Sequence, residues 1–298
     1  MGQGIAFALR VHGRCIAGAR GCIAEGHFAR GAFARGARAG YARSVDNDSD
    51  LLELAAGLAW QAAELILGIR ARGFSTHQKT DQSPVTEADQ QAELLIVAGL
   101  RAATPQITVV AEEEVSAGHI PRPGRATWFV DPLDGTRDFA AGRDSFCVNI
   151  GLVRDAAPVL GVVALPATAE LFGGIIGLGA WKQDRGPRRP IRAVAPPGGG
   201  LRVLASRHYS DDPRLEEFLH GRLVAGVTHM GSAVKMCRVA EGAADIYPRF
   251  GRTMEWDTAA PQAVLEAAGG SLTLLDGTGL RYGKPGWANP GFVAQGLV

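Results

Sequence analysis

The apolar residues in the first half of the chain recur at helical spacing in two segments. Residues 51–73 carry Leu, Ala and Ile at that spacing and end in two arginines and Gly73, a C-terminal stop. The pattern therefore predicts a long first helix. Residues 86–104 predict a second helix, because Thr86 can act as its N-cap, Asp89 stands three residues later and a proline follows the last residue.

Short β-type runs come after these helices, and helical and β-type segments then alternate to the end of the chain. The predicted strands lie at residues 107–111, 126–130, 146–153, 159–166, 201–206, 244–249 and 271–275. The predicted later helices lie at residues 213–221, 232–242 and 258–270. This alternation indicates a layered α/β fold.

Two stretches of unusual composition suggest how the chain is divided. Residues 1–45 are rich in Gly, Ala and Arg without a sustained apolar period, so we expect a flexible N-terminal extension or a misassigned start. Residues 185–200 are dense in Pro, Gly and Arg and predict a surface loop. We therefore expect an N-terminal α+β half over residues 46–190 and a C-terminal α/β half over residues 191–298.

Composition narrows the class of protein. With 46% apolar and 20% charged residues the chain can bury a large core, and its net charge of +1 provides no global field for nucleic acid or an anionic membrane. The four cysteines lack the paired spacing of a zinc site or a disulfide framework. Because polar residues interrupt every apolar run, we expect no transmembrane segment.

Acidic residues cluster at three points where a predicted strand or loop ends. Residues 112–114 are glutamates directly after the first predicted strand, Asp131 and Asp134 follow the second, and Asp257 stands at a helix start. Ligands gather at the carboxyl ends of strands in layered α/β folds, so two clusters converge if their strands are neighbours. Mg²⁺ prefers carboxylate oxygens together with substrate phosphate oxygens. The pattern predicts a metal site that handles phosphate.

The turn after the second predicted strand contains more than its two acids. The carbonyl of Leu133 lies between Asp131 and Asp134, so this short segment can supply three oxygen ligands. Gly135 would let the backbone approach a phosphate closely. A helix beginning at Thr136 would direct backbone N–H groups toward an anion.

Each cluster taken alone has a plainer interpretation. The glutamate triplet fits a solvated turn, and the Asp-Gly pair fits an ordinary tight turn. Asp89 fits a capping box, and Asp257 fits a helix cap with Pro261 in the first turn. The occurrence of all three clusters in one chain favours the metal site.

Several segments carry a resemblance to a known family. The runs VTEAD, AEE, WFVDPLDGT and WDTAA, in this order, resemble the signature motifs of the inositol monophosphatase superfamily. The runs KTDQSPVTEAD, GSAVKMCRVAEGAADIYPRFG and NPGF further resemble the bacterial 3'(2'),5'-bisphosphate nucleotidases of the CysQ type. The resemblance covers the chain from Leu51 to its end. It implies an α-β-α-β-α layered sandwich of the inositol monophosphatase and fructose bisphosphatase type.

The resemblance also implies roles for individual residues. Glu113 would hold a water beside the metal, or would itself be a ligand if the register of the triplet shifts by one. Asp89 and Thr136 would orient the attacking water. Two or three Mg²⁺ ions would assist in-line hydrolysis of a phosphomonoester without a covalent phosphoenzyme. The implied metal ligands are Glu112, Asp131, the Leu133 carbonyl, Asp134 and Asp257.

The segment YPRFGR indicates which kind of phosphate ester the site would accept as substrate. Inositol monophosphatases typically carry an acid near the position of Arg249, whereas cationic Arg249, Arg252 and Lys235 suit a second phosphate. The cations favour a substrate with two phosphates, and the resemblance to the CysQ branch implies adenosine 3',5'-bisphosphate, a product of sulfur metabolism, hydrolysed to adenosine 5'-monophosphate. Alternatively, Arg249 pairs with an acid and Lys235 is a solvated helix residue. The expected substrate contacts are Gly135, Thr136, Ser232, Lys235, Arg249 and Arg252.

Two other functions stay open. An inositol monophosphatase or another sugar phosphatase of the superfamily would keep the metal ligands and differ in the substrate pocket. A non-catalytic regulatory or interaction protein on the same fold would have no need of the acidic set. For the enzyme we expect a small phosphate ester as partner and no nucleic acid, and a homodimer stays open. We expect a cytoplasmic location, with a peripheral position at the inner membrane as the alternative.

Overall fold

A computed structural model describes residues 47–78, 84–207 and 212–297, which lie in one compact unit spanning Arg43–Val298. The predicted extension over residues 1–45 lies outside the described residues, and the predicted boundary near residue 190 stays a prediction. The helices are α1 Asp48–Arg72, α2 Glu87–Ala103, α3 Glu112–Ser116, α4 Thr136–Ala140, α5 Pro213–Leu219, α6 Val234–Ala240 and α7 Glu255–Ala267.

The strands form two large sheets and two short ribbons. The strands are β1 Thr76–Gln78, β2 Pro84–Thr86, β3 Thr108–Ala111, β4 Ala126–Asp134, β5 Cys147–Arg154, β6 Ala157–Leu165, β7 Glu170–Ile175, β8 Gly179–Gln183, β9 Arg189–Ile191, β10 Leu201–Ser206, β11 Val224–Met230, β12 Ile246–Arg249, β13 Thr253–Met254, β14 Ser271–Leu274, β15 Ala288–Asn289 and β16 Phe292–Gln295. The larger sheet has the order β3-β4-β5-β6-β7-β8-β9 and the smaller has the order β11-β10-β12-β16-β14. In the larger sheet β3 and β4 are parallel, and every later pair is antiparallel.

The elements stack in five layers. Helices α1 and α2 cover one face of the seven-stranded sheet, while α6 and α7 lie between its other face and the five-stranded sheet. Helix α5 packs on the outer face of the five-stranded sheet through Leu215, Phe218 and Leu219. The expected α-β-α-β-α sandwich is confirmed.

The two predicted N-terminal helices form as their apolar spacing indicates. Helix α1 ends at Arg72 and is followed by Gly73, whose φ of 83° is readily adopted by glycine. Helix α2 begins with the predicted capping box of Thr86 and Asp89. By length and composition α1 is the one described helix that could cross a membrane, but 56% of its apolar window is buried inside the protein.

Some elements differ from the prediction. A short strand, β9, lies inside the predicted loop 185–200, because Ile191 is buried against the core and the flanking backbone pairs with β8. Helix α7 begins at Glu255, three residues earlier than expected, so Pro261 stands in the second turn and not in the first. The pattern also did not reveal β7, β8 and β11, whose residues include several glycines and polar side chains, or the short strands β1, β2, β13, β15 and β16.

Helix α7 lies unusually close to the seven-stranded sheet. Gly151 and Gly161 face each other on β5 and β6, and a Cβ added to them would stand 2.5 Å from the Ala260 nitrogen and 2.2 Å from the Ala260 oxygen, respectively. Both distances are far shorter than any van der Waals contact, so two glycines are required where the helix backbone crosses the sheet.

A buried network of four charges ties α6 to the sheet. Glu170 of β7 contacts Lys182 of β8 and Arg238 of α6, and Glu241 accepts from Lys182 at 2.7 Å and from Arg238 at 2.6 Å. Burial alone would raise the pKa of Glu170, but hydrogen bonds from Arg238, Lys182 and Thr168 lower it to about 2. The network is balanced, with two positive and two negative groups.

We expect Glu170→Ala to destabilise the protein by about 3 kcal/mol, because removal of one carboxylate leaves an uncompensated positive charge in a buried network. The matched control is Glu53→Ala, which breaks an exposed ion pair with Arg188 and should change stability by less than about 1 kcal/mol. Urea denaturation measures both values.

The stability that Glu170 contributes depends on pH. Since the pKa of Glu170 falls from 4.5 to about 2 on folding, its contribution to the free energy of unfolding is full above pH 4.5 and is lost as the pH drops toward 2. Equal stabilities of the two variants at pH 7 would contradict this assignment.

Candidate active site

The first two acidic clusters meet because their strands are neighbours. Strands β3 and β4 are parallel, with Ala111 opposite Val130, so Glu112 and Asp131 follow paired residues at the same edge of the sheet. Glu112 is the first residue of α3 and Asp131 is 1% exposed. The convergence expected from the strand ends is therefore present in the structure.

A bulge turns Asp131 and Asp134 to the same side of the sheet. Asp131 stands opposite Asn149 and Asp134 opposite Cys147, so three steps along β4 match two steps along β5. In a regular strand, residues three apart point to opposite faces. The extra residue reverses that alternation and directs both carboxylates toward the middle helical layer.

Asp257 reaches the same place from the last third of the chain. It lies in the first turn of α7, where its carboxylate accepts from the Met254 backbone N–H at 2.8 Å. The helix cap considered as the plainer interpretation is therefore present. Because α7 crosses the sheet at Gly151 and Gly161, its N-terminal turn comes beside the ends of β4 and β5.

These elements enclose a cavity of about 330 Å³, which is within the range of small-molecule sites. The predicted site residues on its wall are Glu112, Asp131, Leu133, Asp134, Gly135, Thr136, Ser232, Lys235, Arg249, Arg252 and Asp257. Asp89 lies behind Thr136, and Glu113 is not among the residues that line this cavity in the described part of the chain.

Asp89 and Thr136 form a hydrogen-bonded pair at the edge of the cavity. The Thr136 hydroxyl lies 2.8 Å from Asp89 Oδ1 and 3.0 Å from the Leu133 carbonyl oxygen. The other oxygen of Asp89 accepts from the Thr86 backbone N–H at 2.8 Å and from its hydroxyl at 2.6 Å. Burial raises the pKa of Asp89, although these hydrogen bonds oppose the rise. The Thr136 oxygen therefore has a nearby acceptor for its proton.

The three glutamates of the triplet have different surroundings. Glu112 lines the cavity, whereas Glu114 makes a bidentate pair with Arg101 at 2.7 and 2.8 Å and points away. The backbone N–H groups of Glu113 and Glu114 both donate at 2.7 Å to the carboxylate of Glu93. This geometry favours Glu112 over Glu113 as the member of the triplet that reaches a ligand.

The carboxyl groups in the cavity repel one another. Burial raises the pKa of Asp131 well above its usual value, and the charges of Glu112, Asp134 and Asp257 raise it further. Burial and repulsion by Asp134 and Glu112 likewise raise the pKa of Asp257. The pKa of Asp134 also rises with burial, although Lys235 and the Ala233 N–H oppose the shift. A positive charge placed between these groups would relieve the repulsion.

The donor atoms fit a hard divalent cation. Four carboxylates and the Leu133 carbonyl offer oxygen, which Mg²⁺ prefers over nitrogen and sulfur. Within the described residues, no group of three or more Asp, Glu, His or Cys side chains has the geometry of a formed metal site. Three of the carboxylates instead accept from backbone N–H groups, those of Leu133, Ala233 and Met254.

The predicted cationic residues line the same cavity, and their charged groups differ in how far they are already hydrogen-bonded. Lys235 is buried and donates to the Met230 carbonyl at 3.1 Å and the Ser232 carbonyl at 2.5 Å, so the alternative of a solvated lysine is wrong. Burial lowers the pKa of Lys235 to about 7, although Asp134 opposes the shift. Arg249 donates to the Gly251 and Arg252 carbonyls at 3.2 and 3.1 Å.

Two residues of the site were not identified from the sequence. Glu93 organises the triplet as described above, and it stands four residues after Asp89 on the same face of α2, a spacing that could have indicated it. Burial raises its pKa to about 7. Arg137, directly after Thr136, also lines the cavity. No pattern in the sequence distinguishes Arg137 from the many surface arginines.

Comparison with known proteins gives consistent matches. The sequence profile of the inositol monophosphatase family matches residues 47–295. The 3'(2'),5'-bisphosphate nucleotidase CysQ of Salmonella typhimurium is 40% identical over 81% of this chain and 98% of its own. The crystal structure of CysQ from Bacteroides thetaiotaomicron covers 83% of this chain and 97% of its own, at 34% identity and a TM-score of 0.68. The structure of the inositol monophosphatase from Anabaena covers 83% of this chain and 90% of its own, at 29% identity and a TM-score of 0.65.

Proposed function

The chain belongs to the inositol monophosphatase family, and on that premise we propose that it is a Mg²⁺-dependent 3'(2'),5'-bisphosphate nucleotidase. Its substrate would be adenosine 3',5'-bisphosphate, hydrolysed to adenosine 5'-monophosphate and phosphate. The name of the Salmonella relative, 3'(2'),5'-bisphosphate nucleotidase CysQ, supports the reaction, and the Bacteroides structure shares the name CysQ. The observation that carries the proposal is a cavity lined both by four carboxylates and by cationic side chains.

The cavity would hold Mg²⁺ through the oxygen atoms of Glu112, Asp131, Asp134, Asp257 and the Leu133 carbonyl. Bound there, the metal would supply the positive charge that activates water and stabilises the phosphate oxygens in the transition state. The number of ions, two or three, remains part of the proposal.

The Asp89 and Thr136 pair would orient the attacking water. Asp89 accepts the hydroxyl proton of Thr136, which leaves the Thr136 oxygen with lone pairs toward the cavity. A water that donates a hydrogen bond to this oxygen would be held with its own lone pair toward phosphorus, as in-line attack requires. Thr86 fixes the second oxygen of Asp89, so the pair is held in place before substrate arrives.

The cationic side chains would receive the rest of the substrate. Arg249, Arg252 and Lys235 line the same cavity as the carboxylates, so they would lie within reach of a second phosphate on a substrate bound there. Gly135 has a φ of 94°, and a Cβ there would stand 2.6 Å from the Ser145 carbonyl oxygen, so only glycine lets the backbone turn tightly beside the phosphate. Location in the cytoplasm, a small-molecule partner and the assembly state remain predictions of the sequence.

Parallel phosphate-release assays test the proposed substrate. With Mg²⁺ present, we expect kcat/KM for adenosine 3',5'-bisphosphate to exceed that for inositol 1-phosphate by roughly a hundredfold, because two or more charge-assisted contacts reach the uncleaved phosphate. Chelation of the metal should abolish both activities. A preference for inositol 1-phosphate would leave the family assignment intact and would overturn the nucleotidase proposal.

A further inference from the structure

The cations at the cavity differ in how much of their charge is already engaged. Lys235 and Arg249 donate to backbone carbonyls, as described above. Arg137 and Arg252 are exposed and line the cavity, and the side chain of neither forms a hydrogen bond or ion pair within the described residues. Both guanidinium groups are therefore available for an anionic ligand, whereas the charged groups of Lys235 and Arg249 are partly engaged.

The acid that follows Arg137 in the sequence already has other partners. The nearest acid along the chain, Asp138, is fully buried and is paired with Arg143 at 2.9 Å and Arg207 at 3.0 Å. Gly231 leaves the space that this carboxylate occupies, since a Cβ there would stand 2.0 Å from Asp138 Oδ2. The carboxylate next to Arg137 is thus occupied by two other arginines.

Helix α4 also holds Arg137 at a defined place. Thr136, one residue earlier, is bound to Asp89 and to the Leu133 carbonyl, and Asp138, one residue later, is bound by two arginines. Both flanking side chains are therefore anchored. The Arg137 backbone is fixed beside the reaction centre while its side chain stays free to close on a ligand.

We propose that Arg137 binds the phosphate that is not cleaved and is a specificity-determining residue for bisphosphate substrates. The inference rests on the proposed function. A planar guanidinium can bind two phosphate oxygens at once, which suits a phosphate held near the cavity mouth. A phosphate monoester lacks this second anion, so in this proposal Arg137 makes no contact that favours it.

The test compares adenosine 3',5'-bisphosphate with adenosine 3'-monophosphate, which lacks the 5'-phosphate. We expect Arg137→Gln to lower kcat/KM for the bisphosphate by roughly tenfold to a hundredfold, mainly through KM, because the contact is made in both ground and transition states. Turnover of the monophosphate should change less than about threefold. Arg137→Lys should recover part of the loss, and the control Arg122→Gln, at an exposed arginine outside the cavity, should behave as wild type.

The outcomes separate this inference from the proposed function. Equal losses on both substrates would place Arg137 at the cleaved phosphate and overturn the inference, while the nucleotidase activity of the wild type would stand. If the wild type hydrolyses no bisphosphate, the proposed function fails, and calorimetric binding of adenosine 3',5'-bisphosphate to wild type and Arg137→Gln still decides the inference. Equal Kd values would overturn it. Thermal unfolding of each variant confirms that the fold is intact.

Discussion

Asp134→Asn should abolish turnover, by at least about a thousandfold in kcat, while the protein stays folded. Asp134 stands at the bulge of β4, on the same side of the sheet as Asp131 and beside Asp257. Removal of its charge weakens the proposed cation site at the point where transition-state charge must be neutralised. A thousandfold loss corresponds to about 4 kcal/mol of transition-state stabilisation.

We do not expect Asp134→Asn to lower the stability of the metal-free protein. An Asn oxygen can still accept from the Ala233 N–H, and the repulsion that raises the pKa values of Asp131 and Asp257 is reduced. Without metal, the variant should therefore unfold at the same temperature as wild type or at a higher one. Mg²⁺ should raise the Tm of wild type and should leave that of Asp134→Asn nearly unchanged, because a ligand stabilises only a state that binds it.

The control for Asp134→Asn is Asp184→Asn, which removes a partly exposed carboxylate paired with Arg189 and distant from the cavity wall. Its turnover and its response to Mg²⁺ should match those of wild type. Full turnover by a folded Asp134→Asn protein would rule out the proposed metal ligands.

Gly161→Val should destabilise the protein by more than about 3 kcal/mol. The first side-chain atom would stand 2.2 Å from the Ala260 carbonyl oxygen and 2.7 Å from its Cα. These are backbone atoms of α7 and cannot rotate away, so the helix or the sheet must shift. Because Asp257 is one turn nearer the start of α7, the same shift would displace it from Asp131, and activity should fall together with stability.

A glycine in an exposed strand gives the matched control for Gly161→Val. Gly226 of β11 has nothing within 4 Å of an added Cβ, so Gly226→Val should change the free energy of unfolding by less than about 1 kcal/mol. Urea denaturation of both variants measures the difference. Equal stability of the two would contradict the close approach of α7 to β5 and β6.

The sequence determined the features that depend on neighbouring residues along the chain. Apolar spacing and end signals predicted α1 and α2, and the Thr86 and Asp89 capping box is present in the structure. Acids at the ends of predicted strands indicated oxygen ligands. The capping inference succeeds because a helix cap is set within a few residues of the helix start, whereas the ligand role of the acids stays a prediction.

The tertiary structure decided what depends on residues far apart. The bulge in β4 directs Asp131 and Asp134 to one side, and the glycines at 151 and 161 let α7 bring Asp257 beside them. Lys235 is likewise buried by residues of other elements, and Asp138 is paired with two arginines from outside α4. The guanidinium of Arg137 stays available. No local pattern encodes these outcomes, because they follow from how whole layers pack and from which charges that packing brings together.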